Sequence, residues 1–182
     1  EATGGKSVVV IEKGEPKSCN IVTSCEGKGK TFIMFSDDLD KALATFVLAN
    51  GAAATGQKVT IFFTFWGLNV IKKLHKPNVE KDIFGKMFGM MLPSSSRKLK
   101  LSKMSMGGIG GKMMRYIMNR KGIDSLESLR QQALENGVEF IACQMSMDVM
   151  GVKQEELLDE VTIGGVATYM ERADNANINL FI

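Results

Sequence analysis

A thiol becomes a nucleophile when its surroundings favour the thiolate, and the chain carries three candidates, Cys19, Cys25 and Cys143. Cys143 directly follows the apolar run Phe140-Ile141-Ala142, and Ser146 and Asp148 beyond it can cap a helical turn. Backbone N–H groups at a helix start lower a thiol's pKa. Free cysteine is also among the most buried residue types, so position alone leaves a reactive thiol and an inert packed one equally open. Cys19 and Cys25 form a C-x5-C pair, which is neither a zinc nor a thioredoxin-like spacing. They read as exposed linker thiols or as resolving partners of Cys143. His75 is the lone histidine and sits in a Leu-His-Lys-Pro turn, so any Ser-His-Asp or Cys-His machinery would rest on it alone. No metal site and no cofactor are expected.

Other groups gain interest from where strands end. In an open parallel sheet the residues just past the strands' carboxyl ends line the binding crevice. Four such positions are expected to converge here: Ser36, Asp37 and Asp38; Trp66 and Gly67; Cys143 to Met145; and Gly164 with Gly165. Asp37 and Asp38 also read as helix-capping carboxylates, and Trp66 as a core or cleft-wall residue. Gly107, Gly108, Gly110 and Gly111 lack the Gly-Lys-Ser/Thr ending of a phosphate loop.

The elements that must position these groups follow from periodicity. Thr31 to Phe35 is a strand-length apolar run, and a helix runs from the Ser36-Asp37-Asp38 cap to about Thr55, where Gly56 stops it. Val59 to Phe65 is rich in aromatic and β-branched residues and reads as a strand. After the Trp66-Gly67 turn a short helix is expected from Val70 to His75. Asp124 with Glu127 resembles a capping box for a helix reaching Asn136, and Val138 to Ala142 is a strand. Helical spacing at Gln154 to Leu158, a brief strand at Val161 to Ile163, the Gly164-Gly165 turn, a helix to about Ala173, and Ile178 to Ile182 complete the chain. Strands alternating with helices imply an α/β, three-layer architecture with a mainly parallel sheet and helices on both faces. Residues 1–29 read as an arm or linker resembling the tail of a preceding domain, and residues 30–182 as one α/β domain.

Residues 81–121 interrupt this alternation as a Met-rich basic helical insertion on the sheet's carboxyl edge. It holds eight methionines, and no Asp or Glu occurs from Gly85 to Ile123 beside nine lysines and arginines. Such a segment suits adaptable packing, a lid, a partner surface or contact with an anionic membrane surface, and soft copper(I) ligation by methionine is chemically open. The whole 182-residue chain carries only +3 formal charge with 45% hydrophobic and 24% charged residues, so nucleic-acid binding is not expected. No apolar run is long enough to span a bilayer, and a cytoplasmic location is expected by default.

Phe32 to Asp40 (FIMFSDDLD), Phe62 to Gly67 (FFTFWG), Ile141 to Gly151 (IACQMSMDVMG) and Gly164 to Tyr169 (GGVATY) together resemble the DsrE/DsrF-like family. The likeness spans about Gly29 to Ile182, and the cysteine motif is its most specific part. It implies a small α/β domain, assembled into homo-oligomers, that handles sulfur as a persulfide on one cysteine, which by motif position is Cys143. It also implies sulfur donor or acceptor partners of the rhodanese-like or TusA-like kind. Ala-Cys-Gln-Met lacks the Pro and Thr/Ser pattern of peroxidatic sites, so peroxide chemistry is not expected. Two other readings stay open: a non-catalytic small-ligand or partner-docking module, and a disulfide redox protein pairing Cys143 with Cys19 or Cys25.

Overall fold

The computed structural model describes residues 29–74, 87, 93, 95–103 and 108–182. Cys19, Cys25 and His75 lie outside these residues, as does most of residues 81–94. Five strands, β1 (Gly29–Met34), β2 (Val59–Phe63), β3 (Glu139–Cys143), β4 (Thr162–Gly164) and β5 (Ala176–Phe181), form one sheet in the order β4-β3-β2-β1-β5. Every adjacent pair is parallel, which sharpens the mainly parallel expectation. The helices are α1 (Leu39–Ala54), α2 (Ile109–Arg120), α3 (Leu126–Glu135), α4 (Gln144–Met150) and α5 (Val166–Asp174).

Strand alternation divides the apolar side chains between two unequal faces. Phe32, Met34, Ile61, Phe63, Phe140 and Ala142 join the large core with Phe46 and Ala49 of α1, Ala133 of α3 and Met147 of α4. Phe46, Phe63 and Phe140 meet there at ring-centroid distances of 5.4–6.5 Å. Such pairs add about 0.5–1.5 kcal/mol each beyond area burial. On the opposite face a small cluster of Phe62, Ile141, Cys143 and Tyr169 is covered by α5, with Ile33 and Ala173 against it.

Several local expectations shift in register. The run after β2 winds as a 3-10 helix over Phe65–Ile71 in place of a helix from Val70 to His75. Phe65 enters it at φ 46°. Gly67 is required there: its amide donates to the Phe35 carbonyl at 2.9 Å, and a Cβ would sit 1.9 Å from the Met34 carbonyl oxygen. The helix expected from an Asp124 capping box is instead capped by Ser125, whose hydroxyl accepts from the Ser128 amide at 3.1 Å. Residues 154–158 give only the 3-10 turn Gln154–Glu156.

The described part of the basic insertion is knitted to the domain. The Leu39 amide donates to the Lys100 carbonyl at 2.7 Å, and Ser102 donates to Asp40 through its amide and its hydroxyl at 2.9 and 2.6 Å. Arg115 pairs with Glu127 at 3.3 Å and donates to the Ser96 carbonyl at 2.9 Å. Gly110 and Gly111 lie buried inside α2; a Cβ on Gly111 would meet the Leu99 carbonyl at 3.1 Å.

Candidate functional site

Cys143 is the last residue of β3 and the N-cap residue of α4, so Ser146 and Asp148 fall within the helix and do not cap it. Its side chain makes no capping hydrogen bond. It shares the parity of Glu139 and Ile141 along β3, which directs it toward the α5 face. There it is 2% exposed, packed in the cluster of Phe62, Ile141 and Tyr169. Phe62 and Tyr169 stack tilted at 5.2 Å, and the Tyr169 hydroxyl lies 3.3 Å from the Thr31 hydroxyl, which also donates to Asn179. Lower on the same face Arg172 donates to Glu139 through Nε at 2.9 Å and Nη2 at 3.2 Å, and Thr60 donates to the same carboxylate at 2.9 Å. This charge-assisted hydrogen bonding holds the Glu139 carboxyl below its ordinary value of 4.5, with partial burial opposing. The Tyr169 and Arg172 contacts therefore anchor α5 over the thiol.

Gly164 sits beside Cys143 in register across β3 and β4, and a Cβ there would meet Ile141 Cγ2 at 2.9 Å. Gly165 faces open space, with nothing within 4 Å of a Cβ. Thr64 and Ser146 hydroxyls meet at 2.8 Å and join the ends of β2 and α4. Met145 and Trp66 are exposed on the carboxyl edge.

The acidic trio forms a separate group. Ser36 Oγ accepts from the Asp38 amide at 3.1 Å and donates to the Asp38 carboxylate at 2.8 Å, and Lys41 pairs with Asp38 at 2.8 Å. Asp38 occupies the N-cap position of α1 without making a side-chain capping bond, so the carboxylate-cap reading fails there. Asp37 accepts from the amide of buried Asn69 at 3.0 Å. Burial raises the Asp37 carboxyl above 3.8; the Asn69 bond opposes this and the Asp38 charge adds to it. No contact described links this group to Cys143, so the four strand ends share an edge but divide between its two sides. Sequence reasoning passed over Phe62 and Asn69 and left Tyr169 without a role. Strand parity would have paired Phe62 with Cys143.

A parallel α/β sheet with a cysteine closing β3, the strand next to the β4 edge, defines the class of this protein. The DsrE/DsrF/DrsH-like family model matches residues 27–181, and the chain belongs to that family. An uncharacterized Bacillus subtilis protein, YrkE, is 44% identical over 155 residues, covering 85% of this chain and 97% of its own. The Allochromatium vinosum sulfur carrier protein DsrE2 is 38% identical over 161 residues, covering 86% and 99%. The crystal structure of Escherichia coli ychN aligns with a TM-score of 0.50 at 11% identity over 85% of this chain and 99% of that one, a likeness of fold alone.

Among the described residues no group of three or more His, Cys, Asp or Glu is arranged to hold a metal ion, and no helix is long and apolar enough to cross a membrane.

Proposed function

We propose that this protein carries sulfane sulfur as a persulfide on Cys143. The observation that carries the reading is a strand-end thiol in a chain 38% identical to a protein named a sulfur carrier. The Cys143 thiolate attacks the outer sulfur of a donor persulfide, R–S–SH. The donor S–S bond breaks, a new S–S bond forms on Cys143, and R–S⁻ leaves to take up a proton. An acceptor thiolate then attacks the outer sulfur of Cys143–S–SH, which regenerates the Cys143 thiolate with no net oxidation. Donor and acceptor are protein thiols of the rhodanese-like or TusA-like kind.

Burial of Cys143 gives this reading a specific form. The sulfur is reached when α5 shifts, and the tight packing against Phe62 and Tyr169 keeps the resting thiol from stray oxidants. Self-association is part of the proposal: edge strand β5 leaves Ile178 and Leu180 exposed on one face and Phe181 on the other, an apolar edge suited to a second copy of the chain. Light scattering coupled to size exclusion should give a mass above that of one chain.

Incubation with glutathione persulfide followed by intact-mass and peptide analysis tests the sulfur role. The expected result is a gain of one sulfur, about 32 Da, on the Cys143 peptide and its transfer to an added acceptor thiol. Equal labelling of a Cys143→Ser protein, or sulfur confined to Cys19 and Cys25, would overturn the reading.

A further inference from the structure

Among the described residues, the outward side of α2 is largely open to solvent and combines apolar with basic side chains. Its inward side is fixed, since Gly110, Gly111 and Met118 are buried against the body. Its outward side carries Ile109, Met113, Tyr116 and Ile117, exposed by 64%, 48%, 65% and 39%. Their spacing of i, i+4, i+7 and i+8 is that of one stripe on a helix. Lys112 borders the stripe, and Arg120 and Lys121 close its carboxyl end; all three are exposed and form no ion pair among the described residues. The adjoining strap adds Lys98, Lys100 and Lys103, and no Asp or Glu occurs from residue 85 to residue 123.

We infer that this face docks the protein onto the surface of an anionic lipid bilayer. The charge is complementary to a bilayer bearing acidic headgroups; Ile109 and Tyr116 stand farthest out, while Met113 and Ile117 border a shallow apolar recess shared with Leu101 and Met114, which the flexible edge of a bilayer can fill. Methionine and isoleucine enter the acyl boundary, Tyr116 sits with its ring inside and its hydroxyl at headgroup level, and the lysine and arginine stems reach outward to the phosphates. Twelve residues span about 18 Å, too short to cross a bilayer, so α2 lies in the plane of the interface. The Leu39–Lys100 and Asp40–Ser102 hydrogen bonds tie the basic strap to the start of α1, at the carboxyl edge of the sheet where Cys143 also lies. Docking therefore brings that edge toward the membrane, although binding itself does not depend on the sulfur role.

The test is flotation of the full chain with large unilamellar vesicles of phosphatidylcholine alone or mixed with phosphatidylglycerol. Binding to the phosphatidylglycerol vesicles, weakened at least tenfold by about 0.5 M salt and absent on pure phosphatidylcholine, is expected. Lys112→Glu should weaken it about tenfold or more. Met113→Ser with Tyr116→Ser, whose native side chains are already exposed, should also weaken it about tenfold or more while leaving circular dichroism and Tm unchanged. Lys58→Glu, on a distant exposed position, should leave binding within about twofold. No flotation with phosphatidylglycerol at low salt would overturn the inference. So would flotation indifferent to the double serine variant, since that would reduce the surface to a general polyanion binder such as one for an acidic protein.

Discussion

Three glycines at the strand ends invite the same substitution and should answer it differently. In Gly67→Ala the new Cβ would lie 1.9 Å from the Met34 carbonyl oxygen and 2.7 Å from its carbon, backbone atoms held in the β1–β2 ladder. Reaching an ordinary contact of 3.4 Å requires a displacement of about 1.5 Å, beyond what a packed core absorbs locally. Overpacking of this kind costs about 1–3 kcal/mol, and the Gly67 amide bond to Phe35 is lost in the same movement for about 1 kcal/mol more. The expected destabilisation is therefore about 3 kcal/mol, near 10 °C in Tm for a chain of this size. Gly164→Ala meets Ile141 Cγ2 at 2.9 Å and Thr168 Cβ at 3.3 Å, side-chain and not backbone atoms of β-branched residues that give only a little, so about 1–2 kcal/mol is expected. Gly165→Ala meets nothing within 4 Å at φ −96°. The poorer N-cap is there offset by a less flexible unfolded chain, leaving a change within about 0.5 kcal/mol. Urea unfolding followed by far-UV circular dichroism measures all three. A Gly67→Ala protein as stable as Gly165→Ala would refute the close approach of the 65–71 turn to β1.

Tyr169→Ala should raise the rate of Cys143 alkylation by maleimide at least tenfold over the native protein and cost about 3 kcal/mol in urea unfolding, because the ring covers the thiol. Glu139 contributes stability above pH 4.5 that is lost as pH falls through its depressed value; Arg172→Ala should flatten that acid limb in pH-dependent melts. Asp37 behaves oppositely: its raised value means stability declines as pH rises from 3.8 through that value. Asp37→Asn should accordingly raise Tm at pH 7 and have little effect below pH 3.8. Arg130, buried, with its guanidinium donating to the Val70 carbonyl at 2.7 Å, should cost about 2 kcal/mol when replaced by methionine, read in the same unfolding assay.

The strands and helices that were legible in the sequence are those whose signals are local. Thr31 to Phe35, the α1 stretch ending at Gly56, and Val59 to Phe65, whose strand ends two residues early at Phe63, each announce themselves by the length and composition of a local run. What was lost depends on contacts far apart in sequence. The 3-10 turn at Phe65–Ile71 exists because Gly67 can touch Met34, and no residue nearby signals that partner. Asp38 does not cap with its carboxylate because Ser36 and Lys41 occupy that group. The position of Cys143 was readable to within one residue, whereas its cover was not: Tyr169 lies 26 positions on and reaches the thiol only through the path of α5.

That path has a mechanical consequence. Between β4 on one edge and β5 on the other, the chain passes over β3, β2 and β1, and α5 is the piece that makes the crossing. Four strand spacings amount to about 19 Å. The helix is thus a bridge suspended from the two outermost strands, one only three residues long and the other largely exposed. Such a bridge can lift without breaking a hydrogen bond between the three middle strands or disturbing the phenylalanine core beneath them. Amides of α5 should then exchange with solvent deuterium well ahead of those in β2 and β3, which would set how often the thiol meets a partner independently of global unfolding.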